Sequence, residues 1–509
     1  MSQKQANTML ESCKKAVAVM DVQKGKKVPS NQVTRKQTWW GVGVFSSLFF
    51  TWGLAYGLLD IMNYHIKVAI GTTRTSAAML ALVYYLAYIP GASLVGGPLI
   101  KVHGYRLAAV VGVILVGVGG LVMSYGASKL SLWRMCAGHL VVGLGVSTLE
   151  RTANTYVVNL GKRSGADFRI LFAQTWAAIG TIFAPVIADM CIFDAKQSTQ
   201  LPQPDPARPG RCLMPPPPGK GEAGNLDTVV RFYRFEGLGL FGFAAVLALF
   251  FFATQLVVEP TVPETPKLAH PAWQVWKHPL LSKKFGRLWY GTSANFLNLG
   301  CQVCVAQFAM EHMRVNACNS DSQAAGNMRN AQIAFAGGRV LAAGLTTVRN
   351  VPALREWKTL RSILKGRVIL SVFLAAAVAF VGAGIGAAGQ LAMFRGWLVM
   401  GFEAPSFPLI FETATAGMGE WTPSAETVAI ISISGGGMLP VAMGKLVDLY
   451  GVSQAWSLVT AAFGYVLFYS LACNILPSFR HAIDGAHDEL NEKEPGDQLE
   501  MRPQTAAAE

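Results

Sequence analysis

Three carboxylates interrupt long apolar stretches of this chain. Asp60 lies in FFTWGLAYGLLDIMNY (49–64), Glu150 in TLERTANTYVVNLG (148–161) and Glu403 in FEAPSFPLIF (402–411). An ionisable group embedded among apolar residues costs several kcal/mol in a membrane and is kept mostly where it works. Asp60 and Glu150 read as proton sites, and the alternative for each is a structural role, a charge pair or a helix–helix hydrogen bond. Glu403 stands beside Pro405 and Pro408, where a broken helix can open carbonyls to a substrate path. The amides of Asn154, Gln174 and Gln302 can pair with hydroxyl groups or with neighbouring helices. Trp52 and Tyr56, one helical turn apart, offer aromatic faces to a ring-shaped solute, or plain packing.

The cations nearby set the charge state of these acids. Arg151 follows Glu150 directly, and adjacent helix residues do not face each other. Should its guanidinium nevertheless reach Glu150 or Asp60, it would hold that carboxylate ionised and weaken proton coupling. Arg339 reads as an anchor at the end of its span, and Arg395 as a side chain that snorkels to the interface. His139 reads as a packed, hydrogen-bonded residue.

The elements that must position these groups follow from composition. The chain has 509 residues, 52% of them hydrophobic and only 14% charged, where a soluble domain is about a quarter charged. An ordinary soluble enzyme is therefore excluded. Twelve stretches approach the roughly 20 apolar residues that a membrane-crossing helix needs: 41–63, 76–100, 107–126, 133–160, 170–191, 233–257, 287–312, 330–348, 368–386, 391–415, 425–448 and 454–476. The net charge of +14 would suit nucleic acid in a soluble protein. Here Lys and Arg concentrate in the loops that share a side with the N-terminus, which places both termini in the cytoplasm.

The segments between spans are plain. Residues 1–40 form a polar N-terminal tail without a secretory signal. The loop 192–231 is Pro-rich and extended, and Cys191 and Cys212 could form a disulfide there. The stretch 259–286 reads as a cytoplasmic linker between an N-terminal bundle (41–258) and a C-terminal bundle (287–476). The tail 477–509 reads as unstructured. GLGLFG (237–242) matches a dinucleotide fingerprint but sits inside an apolar span, and Cys301 and Cys304 lack metal-ligand partners. No cofactor is expected.

The two halves echo each other. Span two ends in GGPLIKVHGYR and span eight contains GGRVLAAGL; span five contains GTIFAPVIAD and span eleven GGGMLPVAMGKLVD. Six-span repeats are a transporter signature, with the solute site between the halves.

These residues, together with FRILFAQTWAAIGTIFAP (168–185), GCQ (300–302) and GGR (337–339), resemble the fucose permease-type sugar:proton symporters of the major facilitator superfamily. The resemblance covers roughly residues 41–476. It implies an all-α membrane protein of twelve transmembrane helices in two six-helix bundles, and proton-driven uptake of a hexose-like sugar. It places the proton-linked carboxylates on Asp60 and Glu150 and family polar positions on Asn154, Gln174 and Gln302. Apolar residues replace family asparagines before Asp60 and at Ala177. They keep open a proton-exchanging efflux carrier, and a non-transporting sensor is the other alternative. The expected partners are a small sugar, protons and the lipid bilayer. The expected state is a monomer in the cell membrane, not an enzyme and not bound to nucleic acid.

Overall fold

A computed structural model describes residues 27–29, 33–71, 73–160, 166–191, 203–206, 212–213, 223–253, 257–261, 285–348, 357–386, 389–416, 418 and 421–492. Helices stand at all twelve predicted places. They are α1 (Arg35–Ile70), α2 (Arg74–Leu86, continued by Tyr88–Pro90, a π-helical turn Gly91–Gly96 and Gly97–His103) and α3 (Tyr105–Ser128). Next come α4 (Leu132–Asn159), α5 (Ala166–Cys191) and α6 (Ala223–Ala253). The second half holds α7 (Phe285–Ala317), α8 (Asp321–Val348) and α9 (Gly366–Ala383). It ends with α10 (Gln390–Glu403 and Ser406–Thr415), α11 (Thr422–Ile431, a short 3-10 turn, then Gly435–Tyr450) and α12 (Val452–Ile475).

Eight stretches among the described residues are long and apolar enough to cross a membrane. The places that fall short are α5, α7, α8 and α10. For α10 the break after Glu403 leaves two pieces too short to span, and for α7 the reason is chemical: it buries Asn295, Asn298, Gln302, Gln307, Glu311, His312 and Arg314. A helix that is polar on a buried face loses hydropathy because it faces other helices rather than lipid.

Helix packing repeats between the halves. α1 packs on α5, α2 on α4, and α3 on both α4 and α6. In the same order α7 packs on α11, α8 on α10, and α9 on both α10 and α12. The halves meet along α2 with α11 and along α5 with α8. Glycines permit the closest approaches: a Cβ on Gly53 would strike the Ala177 carbonyl, and one on Gly435 the Phe296 carbonyl. Small residues at such crossings are how helices pack tightly in lipid.

The face that carries both tails is built around Gly104. Its φ of +88° turns the chain between α2 and α3, a conformation that glycine adopts without strain. The turn aims the first amides of α3 at Glu259, whose carboxylate accepts from Tyr105 N at 3.0 Å and Arg106 N at 3.1 Å. A carboxylate at a helix N-terminus is favoured by the helix dipole. Glu259 lies on a strand (β2, Glu259–Thr261) paired in parallel with β1 (Lys27–Pro29), so the N-terminal tail is tied to the end of the first half.

Two expectations change here. Cys212 is bonded to Cys318, at the end of α7, and not to Cys191. Pairing needs Cα atoms within about 7 Å, which no spacing in the chain reveals; Cys212 and Cys318 lie 5.4 Å apart. The bond joins the long loop of the first half to the second half on the face opposite the tails. On that same face the Asp448 carboxylate, at the end of α11, accepts from Thr75 N at 3.2 Å and Thr75 Oγ1 at 2.9 Å, at the start of α2.

The C-terminal tail is not wholly unstructured either: Pro477–Glu492 form a helix, α13. Pro477 stands at its first position, where a missing N–H costs nothing. Asp484 accepts from Lys365 Nζ at 2.7 Å and from Arg367 Nε and Nη2, both at 3.2 Å. Partial burial pushes the Asp484 carboxyl up, but the hydrogen bonds and charges of Arg367 and Lys365 outweigh it and hold it below the usual aspartate range. Its contribution is therefore complete above the unfolded value, about 3.9, and is lost as pH falls through the lower folded value. Amide exchange in α13 should accelerate below about pH 4, and Asp484→Asn should show fast exchange already at neutral pH.

Candidate functional site

The polar groups of the first half gather on the sides of α1, α2, α4 and α5 that converge between the helices. On α1, Trp52 and Tyr56 stack with ring centroids 6.0 Å apart. The Trp52 indole donates to the Tyr88 hydroxyl at 3.3 Å, and Tyr88 lies within electrostatic reach of the Glu150 carboxylate. One turn along α4, the Asn154 amide oxygen accepts from Gln174 Nε2 of α5 at 3.5 Å. Thus five expected site residues, Trp52, Tyr56, Glu150, Asn154 and Gln174, sit on neighbouring helices of one half, joined by a tyrosine that the sequence reading did not single out.

Arg339 stands opposite, on α8 of the other half. It is not the end-of-span anchor expected. Its guanidinium stacks on Phe335 with 4.6 Å to the ring centroid, donates from Nε to the Ala404 carbonyl at 3.2 Å, and lies within electrostatic reach of both Glu150 and Tyr56. The close approach of α8 to α10 at Gly338 fixes its root: a Cβ there would strike the Gly401 carbonyl. Glu150 and Arg339 face each other without closing an ion pair. A carboxylate, a guanidinium and two amides around two aromatic rings supply both donors and acceptors for a polyhydroxylated solute.

Arg151 turns away from this cluster. Its Nη1 donates to the Ala92 carbonyl at 2.7 Å, inside the π-helical turn of α2, and Gly97 leaves room for the guanidinium. The cation that faces Glu150 is Arg339 rather than its chain neighbour, as the helical geometry of adjacent residues requires.

Gln302 and Glu403 belong to the second half. α10 breaks after Glu403, and the freed Glu403 carbonyl accepts from Gln302 Nε2 at 3.0 Å. Gln302 also donates to Ser406 Oγ at 3.1 Å. The Glu403 side chain is buried among α7 residues that include Cys301 and Cys304. These two residues therefore meet each other at the broken helix and do not join the Glu150 cluster. Asp60 follows Tyr56 by one turn in α1, and its side chain lies outside the described residues. His139 is buried with Nδ1 against the Met135 carbonyl at 3.3 Å, a packed residue as expected.

No family model matches the chain. Curated relatives do. A glucose/galactose transporter of Brucella abortus is 26% identical over 433 residues, 83% of this chain and 92% of that protein. The L-fucose-proton symporter of Escherichia coli is 30% identical over a shorter stretch of 149 residues, 29% of this chain and 33% of that one. Over most of its length the chain is therefore similar to glucose/galactose transporters. Its fold agrees: the outward-facing crystal structure of FucP superposes with a TM-score of 0.59 at 19% identity, over 84% of this chain and 97% of that one. These relatives are named as transporters, and the chain shares the multi-pass helical membrane fold.

Proposed function

We propose that this transporter carries a hexose-like sugar of the glucose, galactose or fucose type together with protons, by alternating access, as a monomer in the cell membrane with both termini in the cytoplasm. The observation that carries the reading is the Trp52–Tyr88 hydrogen bond beside Glu150 on one half, facing Arg339 on the other. Sugar hydroxyls fill the space between Glu150 and Arg339, with Asn154 and Gln174 adding amide contacts and the rings of Trp52 and Tyr56 covering an apolar sugar face. The relatives named for glucose/galactose and for L-fucose and protons support the solute class and the coupling.

The mechanism follows from charge. An ionised Glu150 attracts Arg339 across the interface between the halves. Protonating it removes that attraction, and the halves separate on the side where the solute leaves. Asp60, on the same helix as Trp52 and Tyr56, is the second proton site. Each rearrangement moves the halves along α2 with α11 and α5 with α8, the two seams that join them.

Purified full-length protein in liposomes tests this. With an inward pH gradient, labelled glucose, galactose or fucose should accumulate above its outside concentration, and a protonophore should abolish the accumulation. Asp60→Asn should lose the accumulation but keep exchange of sugar for sugar. Uptake indifferent to the gradient would remove the coupling, and no uptake of any of the three would remove the solute class.

A further inference from the structure

The second half holds an acid that the charge mechanism does not use. Glu403 ends the first piece of α10 and is 1% exposed, and its Oε2 is buried without a hydrogen bond. That piece of α10 packs on α7, α8 and α9. From α7, the Gln302 amide donates to the Glu403 carbonyl and to Ser406 Oγ, not to the carboxyl. The Cys301 thiol donates to the Val459 carbonyl, and the Cys304 thiol is the other titratable group of α7 that faces the acid. From α8, Arg339 reaches the break but donates to the Ala404 carbonyl. From α9, the rings of Phe373 and Phe380 pack on Phe402. On α10 itself, Arg395 does not snorkel: it is 5% exposed and donates to the Val381 carbonyl at 3.3 Å. No cation among the described residues lies within electrostatic reach of the Glu403 carboxyl.

An ionised carboxylate only accepts hydrogen bonds, and one buried without a donor or a cation costs several kcal/mol. Only the protonated acid fits this setting. A second idle group lies on the neighbouring helix. Asn298 precedes Gln302 by four residues, so both lie on the face of α7 that meets α10. Asn298 is fully buried, and both polar atoms of its amide lack a hydrogen bond. Packed interiors leave few such groups; here an acid and an amide stand idle on helices that touch. The break in α10 supplies the movement. The carbonyls of Glu403 and Ala404 accept from side chains of α7 and α8. Since α8 forms a seam with α5 of the first half, motion along that seam pulls on α10 at the residue next to Glu403.

We propose that Glu403 is a proton-binding residue of the second half, holding its proton in this state and releasing it when the α10 break opens as the halves move. In that step the carboxyl O–H bond breaks, the proton passes to water entering at the break, and the Asn298 amide turns an N–H to the carboxylate left behind. Capture of a proton from water reverses the step. The neutral acid lets α10 close on α7, and the ionised form holds the break open to water. Release at the break rests on the proposed alternation of the halves and on no particular sugar. It places a proton site in the second half, where Asp60 and Glu150 both belong to the first.

The test uses purified full-length protein in liposomes loaded with a pH-sensitive dye, which gives the protons moved per labelled glucose, galactose or fucose. Glu403→Gln is fixed in the neutral form and should move one proton fewer per sugar than the unaltered protein. Glu403→Asp keeps an acid and should restore the count. Infrared spectra read the proton itself. At neutral pH the unaltered protein should show a protonated-carboxyl band that Glu403→Asp displaces and Glu403→Gln removes. The aspartate variant keeps this readout should Glu403→Gln fail to fold. A proton count unchanged in Glu403→Gln, or a band unmoved in Glu403→Asp, would overturn the proposal and leave the coupling through Glu150 standing. An unaltered protein that carries sugar without protons would overturn both. The infrared measurement needs no sugar, so it decides the state of Glu403 even if none of the three sugars is carried.

Discussion

Glu150→Gln should cut gradient-driven accumulation by about 30- to 100-fold and leave sugar-for-sugar exchange largely in place. The change keeps the size of the side chain and removes only the charge facing Arg339. Two opposite charges near the middle of a membrane protein attract by on the order of 2–3 kcal/mol at an effective dielectric of about 20, and each 1.4 kcal/mol or so is tenfold in an equilibrium. Arg339→Gln should cost as much for the opposite reason, by leaving Glu150 unbalanced. The pair is decisive when both are changed. The double variant buries neither charge, so its thermal stability should return toward that of the unaltered protein although its coupling does not. A double-mutant cycle on melting temperature reads this directly. Strictly additive losses would mean that the two groups do not sense each other, and the charge-based mechanism would fall.

Why the sequence pointed to Glu150 but not to Arg339 is a question of range. Glu150 stands among apolar residues, and its cost in lipid is legible from its neighbours in the chain. Arg339 follows two glycines near the end of an apolar run, which looks like an interfacial anchor. Its role depends on α8 meeting α5 across the two halves, a contact between residues far apart in the chain. Tyr88 was missed for a related reason. One tyrosine among Tyr84, Tyr85 and Tyr88 has no local mark, and only the fold shows which hydroxyl meets both Trp52 and Glu150. Arg395 reads as a snorkelling end charge until α9 and α12 are seen to close over it. The twelve-helix plan itself was readable from the apolar runs, and even α7, one of the more polar of them, was readable because its amides and charges are spaced between apolar residues. The Cys212–Cys318 bond was not readable, because a disulfide records where two loops come to rest.

Gly53→Leu should prevent recovery of folded, monodisperse protein. α1 and α5 touch backbone to backbone at this position, and a Cβ on Gly53 would drive into the Ala177 carbonyl, which sits in a helix and cannot turn aside. Gly435 makes the equivalent contact between α7 and α11, against the Phe296 carbonyl, and Gly435→Leu should fail in the same way. Each change forces two helices apart, and overpacking of a rigid contact costs about 3 kcal/mol or more. Gly43→Leu is the control: nothing lies within 4 Å of a Cβ there, so the stability change should stay within about 0.5 kcal/mol. Size-exclusion profiles and melting temperatures of the three variants separate these outcomes. Normal behaviour of Gly53→Leu would mean that α1 can stand off from α5, and Trp52 and Tyr56 could then not be held against Gln174. The helix that carries the aromatic faces would have no fixed distance to the amides, and the site would lose the rigid frame that lets it grip a sugar.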